Sequence, residues 1–292
     1  MASYTSYRLG QSLAVTLPLS WSYRIARGLA DLQHVRHSAD RAAVEHNVAA
    51  LVHDPAEIAR IAREIFRNFA TYLVDFLRLP CVDDAFVAQA VHVEGLEHLQ
   101  RVRAQHGGAI AVTAHVGNWE LAGAVTAQLG LPVAAIALNH HQPRVTAFFN
   151  RQRHARGVAA IPPGWALRHC QRLLAQGHVV AILGDRNYTS RGVLCEFLGR
   201  PVVIPRGPAL LSLQTGVPIV PGFLVRDTPQ TFRLVFEPPI PPTTTGARER
   251  DVQQLSQQFV SVIERYIRQF PSQWFLFRPF DVPETAATCR AL

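Results

Sequence analysis

The sequence contains no lysine, because all 29 of its basic residues are arginines. This absence excludes a lysine nucleophile, a lysine Schiff base and a phosphate-binding loop of the Walker type, each of which needs the lysine amine. Long apolar runs are also missing: the stretch Leu13–Leu19 is much shorter than the roughly 20 residues that span a bilayer. The four cysteines lie far apart and fit neither a metal site nor a redox pair, so we expect no metal and a cytoplasmic setting.

The overall amino-acid composition is that of a folded protein. Hydrophobic residues make up 48% of the 292 residues and charged residues only 17%, which excludes disorder and indicates an extensive core. The net charge of +8 suits an anionic partner such as a membrane surface. No basic run of the kind that marks nucleic-acid binding is present, so we expect no nucleic-acid partner.

The pattern changes from helical to alternating along the chain. Apolar residues recur at helical spacing up to about Leu79, and strands alternate with helices from Val91 onward. This predicts an α/β fold, with a mainly parallel sheet flanked by helices and preceded by an N-terminal helical layer. We expect residues 1–80 to form a membrane-proximal extension and residues 81–292 an α/β catalytic domain, together one continuous unit.

The N-terminal stretch Leu13–Leu19 is followed by aromatic and basic side chains, namely Trp21, Tyr23, Arg24 and Arg27. Such anchors favour a helix that lies in the membrane interface. A helix that simply packs on the domain fits the same pattern.

One stretch, Ala109–Glu120, combines a predicted strand with a helix start. Its first half is an apolar, β-branched run, while Asn118 is a good N-cap and Glu120 falls in the first helical turn. His115 therefore lies in a tight turn at the carboxyl end of a strand, where open α/β sheets bind ligands. We predict that His115 is a general base and that Glu120 holds its other ring nitrogen. A lone histidine near a glutamate is otherwise a common structural pair.

Four further residues are predicted to bind substrate at the same edge of the sheet. Gly117 allows close backbone approach, and the free N–H groups from Asn118 onward can receive an anionic oxygen. Asp185 and Arg186 follow another apolar strand, which places them at the same edge as the histidine turn. A simple turn cap is the alternative for Asp185.

An arginine cluster occupies residues 150–157, between two predicted strands. Arg153 and Arg156 are predicted to bind a substrate phosphate, because guanidinium groups fork onto phosphate oxygens. A solvated basic loop is the alternative. A nucleophilic serine is not expected, since the sequence has no Gly-x-Ser-x-Gly elbow.

The segment from His115 to Glu120 resembles the H-x4-D/E signature of the lysophospholipid (glycerolipid) acyltransferase superfamily, and its Gly-Asn-Trp-Glu part resembles the lipid A biosynthesis acyltransferase branch of lauroyl and myristoyl transferases. Similar segments run from about residue 41 to 280: Arg41-x-x-Val-x-x-Asn47, the Asp185 loop with Gly192–Gly199, and Gly216–Pro221. The chain departs from the branch at Arg186-Asn187, where lipid A enzymes often carry acidic or amide residues.

The resemblance implies an O-acyltransferase of lipid A biosynthesis at the cytoplasmic face of the inner membrane, peripheral or with a short N-terminal anchor. It would transfer a fatty acyl chain from an acyl carrier protein or coenzyme A thioester to a hydroxyl of a lipid A-like glycolipid, without a cofactor. A phosphatidylinositol mannoside or an amino-acid lipid is the alternative acceptor. A thioesterase that uses the same His–Glu pair, and a non-catalytic binder of anionic membranes or nucleic acid, are the alternative functions.

Overall fold

Helices form the N-terminal part of the chain in the computed structural model, which describes residues 3–162, 166–188 and 191–281. They are α1 (Tyr4–Thr16), α2 (Leu19–Arg36), α3 (Ser38–Val48) and α4 (Pro55–Leu77). Helix α4 begins where the Asp54 carboxylate accepts the backbone N–H of Glu57 at 3.1 Å. Its apolar face then packs with α2, α3 and Phe275 from the C-terminal segment. The predicted N-terminal helical layer is confirmed.

Seven strands of the described residues form one sheet. They are β1 (Val91–Glu94), β2 (Ala109–Thr113), β3 (Val133–Ile136), β4 (Val158–Ile161), β5 (Val179–Leu183), β8 (Ile219–Arg226) and β9 (Phe232–Phe236). Their order across the sheet is β1-β9-β8-β2-β5-β3-β4, and all neighbouring strands are parallel except β8 and β9. The expected α/β architecture is therefore confirmed.

A separate antiparallel hairpin, β6 (Gly192–Phe197) and β7 (Arg200–Pro205), was not predicted. Its two-residue turn places Leu198 and Gly199 at φ angles of 53° and 74°. Such turns usually carry Asn-Gly or Asp-Gly, so the Leu-Gly pair in this turn did not indicate a hairpin.

Helices connect and cover the strands of the sheet. They are α5 (Asp84–Ala90), α6 (Leu96–His106), α7 (Trp119–Gln128), α8 (Pro143–His154), α9 (Ala166–Ala175), α10 (Gly207–Thr215) and α11 (Arg248–Gln269). The helix expected to begin at Trp165 is described only from Ala166, and both Trp165 and Cys289 lie outside the described residues. The arginine cluster lies on the last turns of α8 and in the turn after it, and so is largely helical rather than a loop.

The register of β2 and β5 sets the position of the predicted site. Thr113 is paired with Leu183, and the Gly184 N–H donates to the Thr113 carbonyl at 2.8 Å. Two residues beyond each member of this pair stand His115 and Asp185. Equal offsets from registered residues bring both side chains to the same edge of the sheet, as the sequence indicated.

The first two helices expose an apolar stripe to solvent. Most of the large exposed apolar side chains among the described residues belong to α1 and α2: Leu9, Leu13, Val15, Trp21, Ile25, Leu29, Leu32 and Val35. None of the described helices has the length and apolar content that crossing a bilayer requires.

Candidate active site

The turn between β2 and α7 holds His115 in a fixed backbone conformation. Gly117 has a φ of +66°, and a Cβ at this residue would lie 2.0 Å from the Leu224 carbonyl oxygen, so no other residue fits. The Gly117 N–H donates to the Gln273 carbonyl at 2.9 Å, and the His115 carbonyl accepts the Phe275 N–H at 2.7 Å. The C-terminal segment thus fixes the turn from outside the sheet.

The Asp185 carboxylate binds His115 at two points. One oxygen accepts the His115 backbone N–H at 2.9 Å, and the other lies 2.9 Å from the imidazole Nδ1. The Asp185 side chain is 0% exposed and that of His115 is 12% exposed. Burial opposes ionisation of Asp185, but the contacts with His115 outweigh burial and lower the pKa of the carboxyl. An ionised carboxylate only accepts, so Nδ1 carries the proton and Nε2 keeps a lone pair that can accept one.

His115 lines a cavity of about 950 Å³. The hydroxyl of Tyr188, which also lines the cavity, lies 3.5 Å from Nε2, so this nitrogen is directed toward the cavity. The Trp119 ring packs edge-on to the imidazole with centroids 5.0 Å apart, and Tyr72 packs on Trp119 at 4.5 Å. A molecule in the cavity can therefore reach the Nε2 lone pair of an imidazole whose ring is held on one side by Trp119.

Small apolar residues form one wall of this cavity. Ala111, Ala181 and Ala135 lie in register on the neighbouring strands β2, β5 and β3, and all three line it. Registered residues on parallel strands point to the same face of a sheet. Their methyl groups leave a shallow trough across three strands, which suits an extended apolar chain.

Basic side chains also line the cavity. They are Arg153, Arg168, Arg186, Arg191 and Arg206. The Arg186 guanidinium lies 4.5 Å from the centre of the Tyr188 ring, close to His115. The predicted binding residue Arg186 is thus at the cavity, and the surrounding charge favours an anionic group there.

Glu120 lines the same cavity, but its partner is Arg153 rather than His115. The Arg153 Nε donates to one carboxylate oxygen at 2.9 Å and Nη2 donates to the other at 2.5 Å. Both side chains are about nine-tenths buried. Burial disfavours the Arg153 charge, but the Glu120 carboxylate more than offsets this and raises the pKa of the guanidinium.

This ion pair corrects the sequence expectation for both residues. A buried carboxylate is best satisfied by the forked guanidinium, so Glu120 pairs with Arg153 and the imidazole contact belongs to Asp185. The Arg153 charge is already neutralised within the protein, which weakens its case as a direct phosphate ligand.

Gly117 and Asn118 do not face the large cavity. The Gly117 N–H donates to the Gln273 carbonyl, and the Asn118 N–H donates to the Leu224 carbonyl at 2.8 Å. The Asn118 side chain accepts the Leu121 N–H at 3.0 Å, the predicted N-cap. Both residues line a second, smaller cavity of about 410 Å³. Their expected role as oxyanion donors is therefore not supported, because other carbonyls already occupy these N–H groups.

Arg156 is also used structurally. Its Nε donates to the Leu79 carbonyl at 2.9 Å, and its Nη2 donates to the Pro80 carbonyl. It does not line the large cavity. The prediction that Arg156 binds a substrate phosphate is therefore wrong for this structure, because its guanidinium binds the backbone carbonyls that follow α4.

Sequence reasoning missed three residues around the turn. Trp119 packs beside the imidazole, Tyr72 packs on Trp119, and Asp75 is buried behind the turn. Asp75 left a signal, since it is a carboxylate on the mainly apolar face of α4. Tyr72 left none, because its spacing in α4 is that of an ordinary core residue, and Trp119 stood out only as part of the Gly-Asn-Trp-Glu resemblance.

Comparison with known proteins identifies the family of the chain. A sequence profile described as bacterial lipid A biosynthesis acyltransferase matches residues 7–280. The chain belongs to this family. It is similar to phosphatidylinositol mannoside acyltransferases from Mycolicibacterium smegmatis, with 24% identity over 81% of this chain and 78% of the relative, and from Mycobacterium tuberculosis, with 25% identity over 83% of this chain and 75% of the relative.

Family membership and these relatives make the chain an O-acyltransferase that acts on lipid-like acceptors. In this chain the carboxylate that contacts the imidazole follows a different strand from His115, namely β5.

The first prediction separates the two carboxylates. Asp185→Asn should lower the transfer rate nearly as much as His115→Ala, by about 10²- to 10⁴-fold, because the base loses its tautomer and orientation. Glu120→Gln should have a smaller effect on rate. Transfer of labelled acyl groups by purified variants, with thermal melting as a folding check, measures the difference. Equal loss in Asp185→Asn and Glu120→Gln would return the orienting role to Glu120.

The second prediction concerns the buried ion pair. Arg153→Met leaves the Glu120 carboxylate unpaired and should lower the free energy of unfolding by about 3–5 kcal/mol. The double variant E120M/R153M should recover most of this loss, because no buried charge remains. Urea denaturation measures both.

Arg151→Met is the matched control, since Arg151 is exposed on the same helix and its loss should cost under about 0.5 kcal/mol. A double variant as unstable as Arg153→Met would contradict the ion-pair account.

Proposed function

We propose that this acyltransferase moves a fatty acyl chain from an acyl carrier protein or coenzyme A thioester to a hydroxyl of a membrane glycolipid. His115 is the general base and Asp185 is its orienting carboxylate. The observation that carries the proposal is that Asp185 holds Nδ1 while Nε2 is directed into a large, mainly apolar cavity. A base at the mouth of an apolar cavity suits acyl transfer better than reactions of small polar substrates.

The lone pair on Nε2 allows His115 to act as the base. It removes the proton from the acceptor hydroxyl while the hydroxyl oxygen attacks the carbonyl carbon of the thioester. The C–S bond then breaks, and the leaving sulfur takes the proton from the imidazolium to give the free thiol. Asp185 stabilises the imidazolium that exists between these two proton transfers.

The cavity offers complementary surfaces for the two ends of the donor. The acyl chain lies in the trough formed by Ala111, Ala181 and Ala135. Arg186, near Tyr188, is placed to contact the phosphate of the carrier or of the acceptor headgroup. Arg153 supports this wall through Glu120 rather than by binding phosphate itself.

The names of the family and of the relatives indicate the class of acceptor. The family profile bears the name of lipid A biosynthesis, while the relatives above are named for phosphatidylinositol mannoside. Both names describe membrane glycolipids, so a sugar hydroxyl next to a lipid surface is the shared chemistry.

Transfer without an acyl-enzyme is also part of the proposal. Burial raises the pKa of the Cys170 and Cys195 thiols to about 11, so at neutral pH neither is an effective nucleophile. Cys170 lines the cavity, and its unreactive thiol counts there as an apolar group.

The third prediction tests reaction and acceptor together. Palmitoyl-coenzyme A with the enzyme alone should give no acyl adduct in intact-mass analysis, because transfer is direct. Addition of a glycolipid extract should produce a lipid that is heavier by one acyl group in mass spectrometry. His115→Ala is the control and should give no product.

A stoichiometric adduct on the protein would contradict direct transfer. Release of free fatty acid without any acylated lipid would favour the thioesterase alternative. Fragmentation of the acylated product distinguishes a lipid A precursor from a phosphatidylinositol mannoside.

Peripheral attachment through α1 and α2, at the cytoplasmic face of the inner membrane, completes the proposal. The exposed side chains Trp21, Ile25, Leu29, Leu32 and Val35 follow helical spacing along α2. Such a stripe, with Arg24 and Arg36 exposed nearby, suits insertion into an anionic membrane interface.

The fourth prediction is that I25D/L29D releases the protein from vesicles of phosphatidylglycerol and phosphatidylcholine, because charges replace the inserted side chains. Sedimentation with vesicles measures binding. Leu194→Asp is the control, because Leu194 is similarly exposed but lies on the hairpin strand β6. Equal loss of binding in the control would indicate nonspecific adsorption.

A further inference from the structure

A buried carboxylate lies between helix α2 and the catalytic turn. Asp75, on α4, accepts the Tyr23 hydroxyl at 2.6 Å and the Asn118 side-chain amide at 3.0 Å. The Arg226 guanidinium, at the end of β8, also donates to it. One side chain thereby joins α2, α4, β8 and the N-terminus of α7.

Two of these contacts connect Asp75 with the helix proposed to bind the membrane, α2, and with the turn that holds His115. Tyr23 points inward from α2, while Trp21 and Ile25 on the same helix are exposed. Asn118 caps α7 through Leu121 and stands three residues after His115. The path from the exposed stripe to the catalytic turn therefore consists of two hydrogen bonds to Asp75.

The chemistry of the cluster fixes the direction of these hydrogen bonds. Burial, followed by the Asp75 charge, raises the pKa of Tyr23, so its hydroxyl stays protonated and donates. Burial also raises the pKa of Asp75, against the opposing effect of Arg226 and the other donors. A change in the position of Tyr23 would thus change how well the Asp75 charge is satisfied.

The two halves of α2 are held differently. Asp31, in its second half, forms ion pairs with Arg67 at 2.8 Å and Arg63 at 3.0 Å on α4. The first half is joined to α4 by the Tyr23 hydrogen bond to Asp75 and by an ion pair between Arg27 and Glu64 at 3.0 Å. Tyr23 packs in a small apolar cluster apart from the main core. The half of α2 that carries the exposed Trp21 and Ile25 is thus the half that contacts Asp75.

The smaller cavity borders this hydrogen-bonded cluster. Its volume is about 410 Å³, and Tyr23, Asn118 and Arg226 all line it. The cluster is therefore not enclosed by packed side chains on every side, as it would be in the main core.

We propose that Asp75 is a positioning residue that couples the seating of α2 on a membrane to the geometry of the His115 turn, through Tyr23 on one side and Asn118 on the other. Docking of the stripe fixes Tyr23 against Asp75, and Asp75 then holds Asn118 in its capping position. This proposal rests on the proposed function, but its first test needs no substrate.

The experiment measures hydrogen–deuterium exchange in peptides that cover residues 115–121, with and without vesicles of equal parts phosphatidylglycerol and phosphatidylcholine. In the wild type, vesicles should slow exchange of the Leu121 amide several-fold, because its cap is held more firmly. Tyr23→Phe should bind the vesicles equally and show no slowing. Tyr7→Phe, a partly buried tyrosine of α1 that stacks on Phe148, is the control and should respond as the wild type.

Turnover provides a second readout. Asp75→Asn places an amide opposite the Asn118 amide, and should lower kcat by about 10- to 100-fold with little change in KM for the thioester, because misplacement of the base affects chemistry rather than binding. Thermal melting checks that this variant folds, and Tyr23→Phe remains informative if it does not.

The coupling would be overturned if vesicles slowed exchange in Tyr23→Phe as much as in the wild type. It would also be overturned if vesicles did not change exchange in residues 115–121 of the wild type. Neither result would affect the proposed transfer reaction, which fails if the wild type acylates no lipid or if His115→Ala retains its activity.

Discussion

The site depends on the register between β2 and β5. Parallel pairing of Thr113 with Leu183 sets His115 and Asp185 at equal distances beyond the sheet, so that one carboxylate reaches both the backbone and the ring of the histidine. A slip by one residue would turn every side chain of the strand to the opposite face and separate the pair. The buried centre of the sheet prevents such a slip, because β2 also pairs with β8 on its other edge.

Two buried ion pairs flank the turn that holds His115. Glu120 with Arg153 lies on the cavity side, and Asp75 with Arg226 lies on the opposite side, next to α2. Buried charges are tolerated only when they are paired and hydrogen-bonded, so these side chains have few alternative positions. Their contribution is therefore specificity of arrangement around His115 more than net stability.

Apolar and basic surfaces lie on different sides of the site. The alanine trough suits an extended apolar chain, Arg186 near Tyr188 offers a contact for an anionic group, and the stripe on α2 is not covered by any part of the chain that the structure describes. The function proposed above uses all three, because a thioester donor is part apolar and part anionic and a glycolipid acceptor resides in a membrane.

Much of this could be predicted from the sequence, and the limit is set by distance along the chain. The α/β order, the strand before His115 and the Asn118 cap are local features, determined by hydrophobic period, turn residues and capping chemistry. The partners of the charged side chains were decided by the tertiary structure. Asp185 reaches His115 across 70 residues and Arg153 reaches Glu120 across 33, so only the packing of strands and helices brings them together. A glutamate five residues from a histidine looked like its partner in sequence, but the buried guanidinium offered that carboxylate a stronger, forked contact.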